Sequence, residues 1–372
     1  MKKRILVCGN YGVGNLGDEA ILSGILRLLE STFPGCHVTV MSSHPSKTAR
    51  NTGKESIPFF PAGIRSWFRF IFTRQFLRVI RAVMKSDLII LGGGGLFADE
   101  HAMAVWIWFT QAWWFYLLRK KVVCLGQSVG PLRKYWAKMM TGWVFRQAVL
   151  VTVRDKQSAD LLSKLGVKDV KVLADPAYAL GYDSESSQKR NGYVVMSLRQ
   201  WGLENSKQID EDLAAFVKWL WKEKKLKTVF IAFQEKVESD VARYMSLEKL
   251  IDNKKIFSRE LVSEDYRAAL DIIGRADYVV GMRLHSIIFA VLSRKPFIAL
   301  SYSKKVMDYV DTLGLTNYID YKDVNFWNLK MKFVEAEKEY DRIAKVLEER
   351  KLYFTYEFFR QEALLRKIWE ND

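Results

Sequence analysis

The amino-terminal stretch of this chain places the strongest constraint on its fold. Residues 5–8 are apolar, four glycines follow between residues 9 and 17, and Asp18 and Glu19 then begin an apolar stretch with helical spacing. This order predicts a first β-strand, a tight turn and the amino terminus of a helix. A chain that opens in this way is expected to form a parallel sheet with crossover helices.

Three of the glycines fit the spacing of a dinucleotide-binding loop, but their surroundings argue against that ligand. Gly12, Gly14 and Gly17 match G-x-G-x-x-G, a motif that places a pyrophosphate on the amino terminus of the helix. The two carboxylates that follow bring negative charge to the same place, and the second strand candidate ends without the acid that would hold a ribose. We infer that the glycines let the backbone approach another ligand, such as a polyol. The alternative is that they only form a close turn between the strand and the helix.

Short Val/Ile/Leu runs alternate with longer helical patterns along most of the chain, which is typical of parallel sheets with crossover helices. The strand candidates of the first half are residues 4–8, 38–42, 87–91, 122–126, 149–153 and 170–173. Those of the second half are residues 192–198, 228–232, 256–257, 278–281 and 296–300. The polar stretch between the two sets, residues 181–192, is the linker candidate.

We therefore predict an α/β protein with two Rossmann-like domains that face a cleft, followed by C-terminal helices. The N-terminal domain is expected to span residues 1–183 and the C-terminal domain residues 190–332. Residues 333–372 are charged and helical in pattern, and in one arrangement they pack back on the N-terminal domain. A chain of 372 residues has room for two separate cores.

The charge of the chain is concentrated in its first half. The formal net charge is +16, and residues 1–183 hold 25 Lys and Arg against 12 Asp and Glu, whereas the remainder holds 33 against 30. Such a basic half favours an anionic partner, which is a nucleic acid, a membrane surface or a phosphorylated substrate. Cys8, Cys36 and Cys124 are odd in number and lack metal-ligand spacing, and we see no signal peptide, so a reducing cytoplasmic compartment is expected.

Aromatic residues alternate with arginines between residues 64 and 85. Residues 74–85 place their basic side chains on one helical stripe and apolar side chains opposite, and the stretch before them interleaves Arg with Trp and Phe. This pattern favours contact with an anionic membrane, and a surface helix that covers the sheet is the alternative. The expected membrane contacts are Trp67, Phe68, Arg69, Phe70, Arg74, Arg78 and Arg81. The uncharged, aromatic stretch 102–118 is short for a bilayer span and is expected to be a buried or interfacial helix.

Glycines and charged residues follow several predicted strands at the edge where ligands bind in parallel α/β folds. In the first half these are the glycines at residues 92–95, the turn at residues 126–132, Arg154 and Asp175. In the second half they are Arg199, the run Arg283-Leu-His285-Ser286, and the stretch 301–305. Arg283 and His285 lie at a predicted helix amino terminus, where an anion is favoured.

At these residues the chain resembles the polysaccharide pyruvyl transferase family. The matching stretches run in order from residue 9 to residue 296 and read GNYGVGNLGDEAIL, LGGGGLFAD, GQSVGPL, VTVRDKQSADLL, LADPAYAL, VVMSLRQW and GMRLHSIIFAVLSRKP. The resemblance implies a glycosyltransferase-B type architecture. It also implies transfer of the enolpyruvyl unit of phosphoenolpyruvate to two hydroxyls of a sugar, which gives a cyclic ketal and phosphate. Bacterial relatives that build cell-wall polymers act on lipid-linked saccharides, which would suit the basic first half.

The resemblance places the family's arginine and R-L-H elements on Arg154, Arg283 and His285, and the chemistry of ketal formation suggests roles for the other marked residues. His285 is the expected general acid, and His285, Arg283 and Arg154 form the expected catalytic set. The expected donor site, in the C-terminal domain, consists of Arg199, Arg283, Ser286 and Lys304. The expected acceptor site, on the N-terminal side, consists of Gly14, Asn15, Asp18, Gly94, Gly95, Asp99, Gln127 and Asp175. No metal and no cofactor other than the donor substrate are expected, since the arginines would neutralise its charge.

Two other functions remain open from the sequence. A nucleotide-sugar glycosyltransferase of the same fold would need an acid in the second domain for the ribose, and the first acid after Met282 is Asp308. A non-enzymatic protein that binds anionic surfaces would leave the strand-end residues without a role. Nucleic acid is not an expected partner, because no recognition motif is present. The expected location is the cytoplasm, on the inner face of the cell membrane, and the sequence leaves the acceptor sugar and the oligomeric state open.

Overall fold

The computed structural model describes residues 2–63, 70, 72–100, 103–182, 191–199, 206–234, 240–260, 262 and 265–370. The chain forms two compact units. The first unit consists of Met1–Val13, Asp18–Leu180 and Phe354–Asp372, and the second consists of Gly14–Gly17 and Gly181–Tyr353.

The first unit is built on a seven-stranded parallel sheet with the strand order β3-β2-β1-β4-β5-β6-β7. Its strands are β1 Arg4–Cys8, β2 His37–Met41, β3 Glu55–Ile57, β4 Leu88–Phe97, β5 Lys121–Val129, β6 Leu150–Val153 and β7 Lys171–Val172. The helices between them are α1 Leu16–Thr32, α2 Pro45–Thr52, α3 Arg74–Lys85, α4 Ala104–Leu117, α5 Tyr135–Arg146 and α6 Lys156–Lys164. The winding direction reverses between β1 and β4, which is where parallel α/β sheets bind ligands.

Strand β4 continues through glycines 92–95, where the sequence predicted a loop. Glycine weakens most strands, but packing requires it here. A Cβ on Gly92 would overlap the Tyr11 hydroxyl, and a Cβ on Gly93 would overlap Ile21 of α1. Gly94 has a φ of +92°, which L-residues with a side chain rarely adopt. The glycines thus let α1 pack closely on a central strand.

Helices α3 to α6 contribute to one hydrophobic core with the sheet of the first unit. Their buried side chains include Val79, Val83, Val105, Trp108, Ala112, Phe115, Ala137, Val144, Phe145 and Leu162. Helix α4, which forms most of the uncharged stretch 102–118, buries one side in this core and exposes the other. In the part of the chain that the structure describes, no helix is long and apolar enough to span a bilayer.

The described part of the chain includes some of the membrane contacts expected in residues 67–81. Phe70 is buried in the first unit, where it packs on Phe60 and Phe76, so it is a core residue and its prediction as a membrane contact is corrected. Arg78 is exposed and pairs with Glu55. Trp67, Phe68, Arg69 and the side chain of Arg74 lie outside the described residues.

The second unit is built on a six-stranded parallel sheet with the strand order β10-β9-β8-β11-β12-β13. Its strands are β8 Tyr193–Ser197, β9 Lys227–Ile231, β10 Phe257–Glu260, β11 Tyr278–Gly281, β12 Phe297–Ser301 and β13 Tyr318–Asp320. Its helices are α7 Ser206–Lys224, α8 Asp240–Ile251, α9 Tyr266–Arg275, α10 Leu284–Leu292, α11 Lys304–Thr312 and α12 Phe326–Lys338. The predicted fold class, two Rossmann-like α/β domains with C-terminal helices, is confirmed.

Two further helices, α13 Tyr340–Phe359 and α14 Gln361–Glu370, end the chain. The boundary between the units at residue 354 falls within α13. In the first unit, Phe354 packs on Tyr178, and the side chain of Gln361 accepts a hydrogen bond from Thr152 of β6. The last residues of the chain therefore complete the first unit. The main boundary, at residues 180–181, lies close to the predicted linker, of which residues 183–190 are outside the described part.

Candidate functional site

Three neighbouring strands of the second unit end near one another, and two of them lead into residues that the sequence assigns to the donor site. Strands β8, β11 and β12 are adjacent, and they lead into Arg199, Arg283 and Tyr302. Because parallel strands share one carboxyl edge, these three residues follow the same edge of the sheet. His285 and Ser286 lie in the first turn of α10, directly after Arg283.

A buried carboxylate fixes the side chain of Arg283. Its Nη2 donates to Oδ1 of Asp240 at 2.6 Å and to Oε1 of Gln234 at 3.3 Å. The Asp240 side chain is fully buried at the start of α8, and its Oδ2 accepts the backbone amides of Phe233 and Gln234 at 2.9 and 3.1 Å. Among the described residues, Nε of Arg283 has no hydrogen-bond partner. The carboxylate therefore orients the guanidinium from one side.

Arg199 is held beside an aromatic ring. Its guanidinium carbon lies 5.5 Å from the ring centroid of Tyr302, and Nη1 donates to the Tyr302 hydroxyl at 3.5 Å. The backbone amide of Arg199 meets the sulfur of Met282 at 3.3 Å. A cation over an aromatic face is stabilised by the ring quadrupole, so Tyr302 limits the positions available to the Arg199 side chain.

The segment 14–17 packs against His285 within the second unit. A Cβ on Gly17 would overlap the imidazole ring of His285. The Leu16 amide donates to the Phe233 carbonyl at 2.9 Å, and Asn15 forms an isolated antiparallel bridge with Gln234. Gly14 and Asn15, which the sequence assigned to the acceptor side of the first domain, thus belong to the unit that contains His285. Glycine at position 17 is needed because the imidazole occupies the space of a side chain.

Two other predicted donor residues have different surroundings. The Ser286 side chain is buried, and its Oγ donates to the Arg283 carbonyl at 2.6 Å. This bond stabilises the turn between β11 and α10, so the hydroxyl supports the site from within the protein. Lys304 is exposed at the start of α11, where its ammonium group is open to solvent.

In the first unit, Asp18 lies at the start of α1 beside the carboxyl end of β4. Its Oδ2 accepts the side-chain amide of Asn10 at 2.7 Å, and a Cβ on Gly94 would lie 3.2 Å from its Oδ1. The neighbouring Glu19 accepts the backbone amide of Gly12 at 2.7 Å. Burial, with the nearby Cys8 and these two carboxylates, raises the pKa of the Tyr11 hydroxyl well above its ordinary value, so Tyr11 stays protonated.

Arg154 and Asp175 form a buried ion pair at the ends of two strand segments. Nη1 of Arg154 donates to Oδ2 of Asp175, and its Nε donates to Oγ of Ser128 at 2.8 Å. Burial by itself lowers the pKa of the Arg154 guanidinium, whereas the attraction and hydrogen bond of Asp175 raise it, and the net shift is upward. The two residues predicted for catalysis and acceptor binding therefore neutralise each other.

The remaining predicted acceptor residues lie in the first unit with defined partners. Nε2 of Gln127 donates to the Leu91 carbonyl at 2.9 Å, and Oδ2 of Asp99 accepts the amides of Arg133 and Lys134 at 2.5 and 2.6 Å. Asp99 thereby fixes the turn before α5. Gly95 lies in β4, where an added Cβ would have open space around it. Within the described ranges, no group of three or more His, Cys, Asp or Glu could hold a metal ion.

A pocket of about 500 Å³ lies at the opposite edge of the first sheet. It is lined by the amino ends of β1, β2 and β3 and by α3, and it contains Arg78 and Arg81 but none of the predicted catalytic residues. Its cations include Arg4 and Lys85, and Glu55 supplies a negative charge. The acceptor residues predicted at the carboxyl ends of the strands and this pocket are therefore at different edges of the first sheet.

The sequence did not predict Asp240, Gln234 or Tyr302 as site residues. Asp240 stands 43 positions before Arg283 in the chain, so no local pattern connects them. Tyr302 lies inside the marked stretch 301–305, but the sequence does not show that its ring contacts Arg199.

Comparison with known proteins identifies the family of the chain. A family model described as polysaccharide pyruvyl transferase matches residues 15–304. The chain is 22% identical to the amylovoran biosynthesis protein AmsJ of Erwinia amylovora, over 84% of this chain and 86% of that protein. Because the family model covers well over half of the sequence, the chain belongs to the polysaccharide pyruvyl transferase family and is a transferase that acts on polysaccharide.

Solved structures resemble the chain in fold at low sequence identity. A UDP-GlcNAc 2-epimerase from Neisseria meningitidis matches with a TM-score of 0.65 and 11% identity, over 100% of both chains. Sucrose-phosphate synthase from Thermosynechococcus elongatus matches with a TM-score of 0.64 and 12% identity, again over 100% of both chains. These likenesses confirm the glycosyltransferase-B type of the fold.

Proposed function

We propose that this polysaccharide pyruvyl transferase moves the pyruvyl group of phosphoenolpyruvate to two hydroxyls of a glycan, which forms a cyclic ketal and releases phosphate. The observation that carries the proposal is Arg283, held by the buried Asp240 at the amino terminus of α10, two residues before His285. The donor has a phosphate and a carboxylate. Two planar guanidinium groups, those of Arg283 and Arg199, suit these two anions better than ammonium groups would.

His285 is the proposed general acid. It protonates the methylene carbon of the donor, and the oxocarbenium-like centre that results is attacked by the first sugar hydroxyl, which loses its proton. Departure of phosphate gives a second such centre, and attack by the second hydroxyl closes the ketal. One of the two hydroxyl protons replaces the proton that the acid gave to carbon, and the other leaves with the phosphate. An imidazole is suited to this transfer near neutral pH.

The first unit is the proposed acceptor side, and the proposed acceptor is a lipid-linked glycan. Among its carboxylates, Asp18 is the best candidate to bind or deprotonate a sugar hydroxyl. Asp99 accepts two backbone amides, and Asp175 pairs with Arg154, so these two groups already have structural functions. Arg154 is proposed as a support for Asp175, because its guanidinium donates to that carboxylate and to Ser128.

The decisive experiment is incubation with phosphoenolpyruvate and a panel of lipid-linked or synthetic glycans. Phosphate release and a matching mass gain of the glycan are expected, and both should disappear in His285→Gln. Turnover of a nucleotide sugar, with no phosphate released from phosphoenolpyruvate in any mixture, would contradict the proposal and favour a glycosyltransferase.

A further inference from the structure

The outer side of α4 is an exposed apolar stripe. Met103, Trp106, Trp113 and Leu117 are spaced by three, seven and four residues, which places them on one side of the helix, and 40% of Trp113 and 54% of Leu117 are accessible to solvent. Helix α4 has no charged residue. The opposite side of α4 already packs in the core, so folding of the first unit does not require the exposed apolar side chains of the stripe.

Helix α5 extends this stripe into a broader surface. Tyr135, Trp136 and Met139 are exposed near its start, with Tyr135 at 77%. Aromatic contacts join the two helices: the Phe109 ring of α4 lies 5.4 Å from Trp143 of α5, between their centroids. We call the exposed residues of the two helices the aromatic face, and its members are Met103, Trp106, Trp113, Leu117, Tyr135, Trp136 and Met139. Apolar patches of this kind on a protein surface mark interaction sites.

The segments that form the aromatic face carry cations and no acidic residue, and the acids that stand just before Met103 in the chain are Asp99 and Glu100. The chain contains no Asp or Glu from residue 101 to residue 154, nor from residue 56 to residue 86, the segments that hold α3, α4 and α5. The cations of the first of these segments are Arg119, Lys120, Lys121, Arg133, Lys134, Lys138, Arg146 and Arg154. Most of the excess positive charge of the protein therefore lies in the two segments that hold α3, α4 and α5.

We propose that the aromatic face docks on an anionic phospholipid bilayer. Tryptophan and tyrosine are the residues preferred at the boundary between headgroups and acyl chains, and basic residues beside them attract anionic lipid. A second copy of the chain is the less suitable occupant, because it would bring the same cations against each other across the contact. The aromatic face is a different surface from the membrane contact that the sequence predicted around Phe70. The docking proposal does not depend on the proposed reaction.

The test is flotation of the substrate-free protein with vesicles of phosphatidylcholine alone and of equal parts phosphatidylcholine and phosphatidylglycerol. Binding is expected to the mixed vesicles and to fall with added salt. The triple variant Leu117→Ser, Tyr135→Ser, Met139→Ser should bind about tenfold to a hundredfold more weakly, since three side chains no longer enter the interface. These three side chains are more than half exposed, so the thermal unfolding of the variant should match that of the parent protein.

A matched control replaces three equally exposed apolar side chains elsewhere, Trp327→Ser, Leu352→Ser and Tyr356→Ser, and should bind as the parent does. Charge reversal at Lys134 and Lys138 should reduce binding to the mixed vesicles by more than about tenfold. Equal binding by the triple and control variants would overturn the proposal. So would a concentration-dependent dimer in sedimentation that the triple variant alone abolishes. Activity on a short water-soluble acceptor should be unchanged in the triple variant, so failure of the proposed reaction and failure of docking are separable.

Discussion

The buried carboxylate of Asp240 should decide how well Arg283 serves the donor, and Asp240→Asn isolates this effect. The amide oxygen of Asn can still accept the backbone amides of Phe233 and Gln234, which Oδ2 of Asp240 accepts now. What the variant loses is the 2.6 Å ion pair with Arg283. It also turns an NH₂ group toward the guanidinium, so a donor faces a donor.

The expected loss of stability follows from the burial of the pair. Removing one partner of a buried ion pair costs about 3–5 kcal/mol. The Arg283 side chain keeps 14% exposure and can regain water, so we expect about 3 kcal/mol. Asp240→Ala also removes an acceptor of two backbone hydrogen bonds, and we expect it to cost about 2 kcal/mol more. Urea unfolding of the two variants measures both values.

Asp240→Asn is also expected to bind phosphoenolpyruvate more weakly. An Arg283 that has lost its orientation gives up a charge-assisted hydrogen bond worth about 1.5–3 kcal/mol, which is about tenfold to a hundredfold in Kd. Calorimetric titration with phosphoenolpyruvate checks this. The matched control is Asp210→Asn, which breaks the buried pair of Asp210 with Arg243 (2.7 Å) in the same unit and should reduce stability without changing the donor Kd. If Asp240→Asn binds the donor like the parent protein while Arg283→Lys does not, Asp240 has no positioning role and the reasoning is refuted.

The remaining predictions concern the general acid His285, the glycine Gly17 that packs against it, and the buried thiols. His285→Gln should reduce transfer by about a hundredfold to ten-thousandfold at unchanged donor affinity; near-normal turnover in a folded variant would exclude the role. Gly17→Ala should displace the imidazole and lower kcat, with a stability loss of about 1–3 kcal/mol, and a wild-type kcat would contradict the close contact. Burial raises the pKa of the Cys8 and Cys124 thiols, so both should resist alkylation until the protein unfolds. The thiols ionise from about pH 8.5 in the unfolded protein and stay protonated in the folded protein. Their contribution to the free energy of unfolding is therefore fully present below that pH and is progressively lost as the pH rises above it.

The sequence predicted the central strands well because their apolar runs are long and continuous. Strands Arg4–Cys8 and Tyr278–Gly281 have the bounds expected from the sequence, and the others differ by a few residues, except β4 and β5, which run further through glycine-containing stretches. The two short edge strands, β3 and β13, were missed. Each has three residues, includes an acid and pairs on one side only, so neither shows a hydrophobic period.

The sequence predicts the site residues that follow strand ends, but it does not predict the residues that hydrogen-bond or pack against them. Parallel topology alone brings Arg199 and Arg283 to one edge, and the order of strands β8 and β11 makes them neighbours. The partners Asp240 and Tyr302 come from other elements, and a polar residue at the start of a helix looks the same in sequence whether it faces water or an arginine. For the same reason the pairing of Arg154 with Asp175 could not be predicted from the sequence.

The distribution of charge separates the two proposed anion sites and leads to a salt experiment. In the second unit Arg283 is fixed by a buried carboxylate, so its contact with phosphoenolpyruvate is short-range and depends on geometry. At the aromatic face, the cations Arg133 and Lys134 are exposed to solvent. Raising the salt from about 0.1 to 1 M shortens the screening length from about 10 to 3 Å, which weakens exposed charges far more than partly buried ones. Vesicle binding should therefore be abolished while the donor Kd changes by less than about threefold. Loss of both in parallel would mean that Arg283 acts through the general positive field of the protein, and that its fixation by Asp240 is only structural.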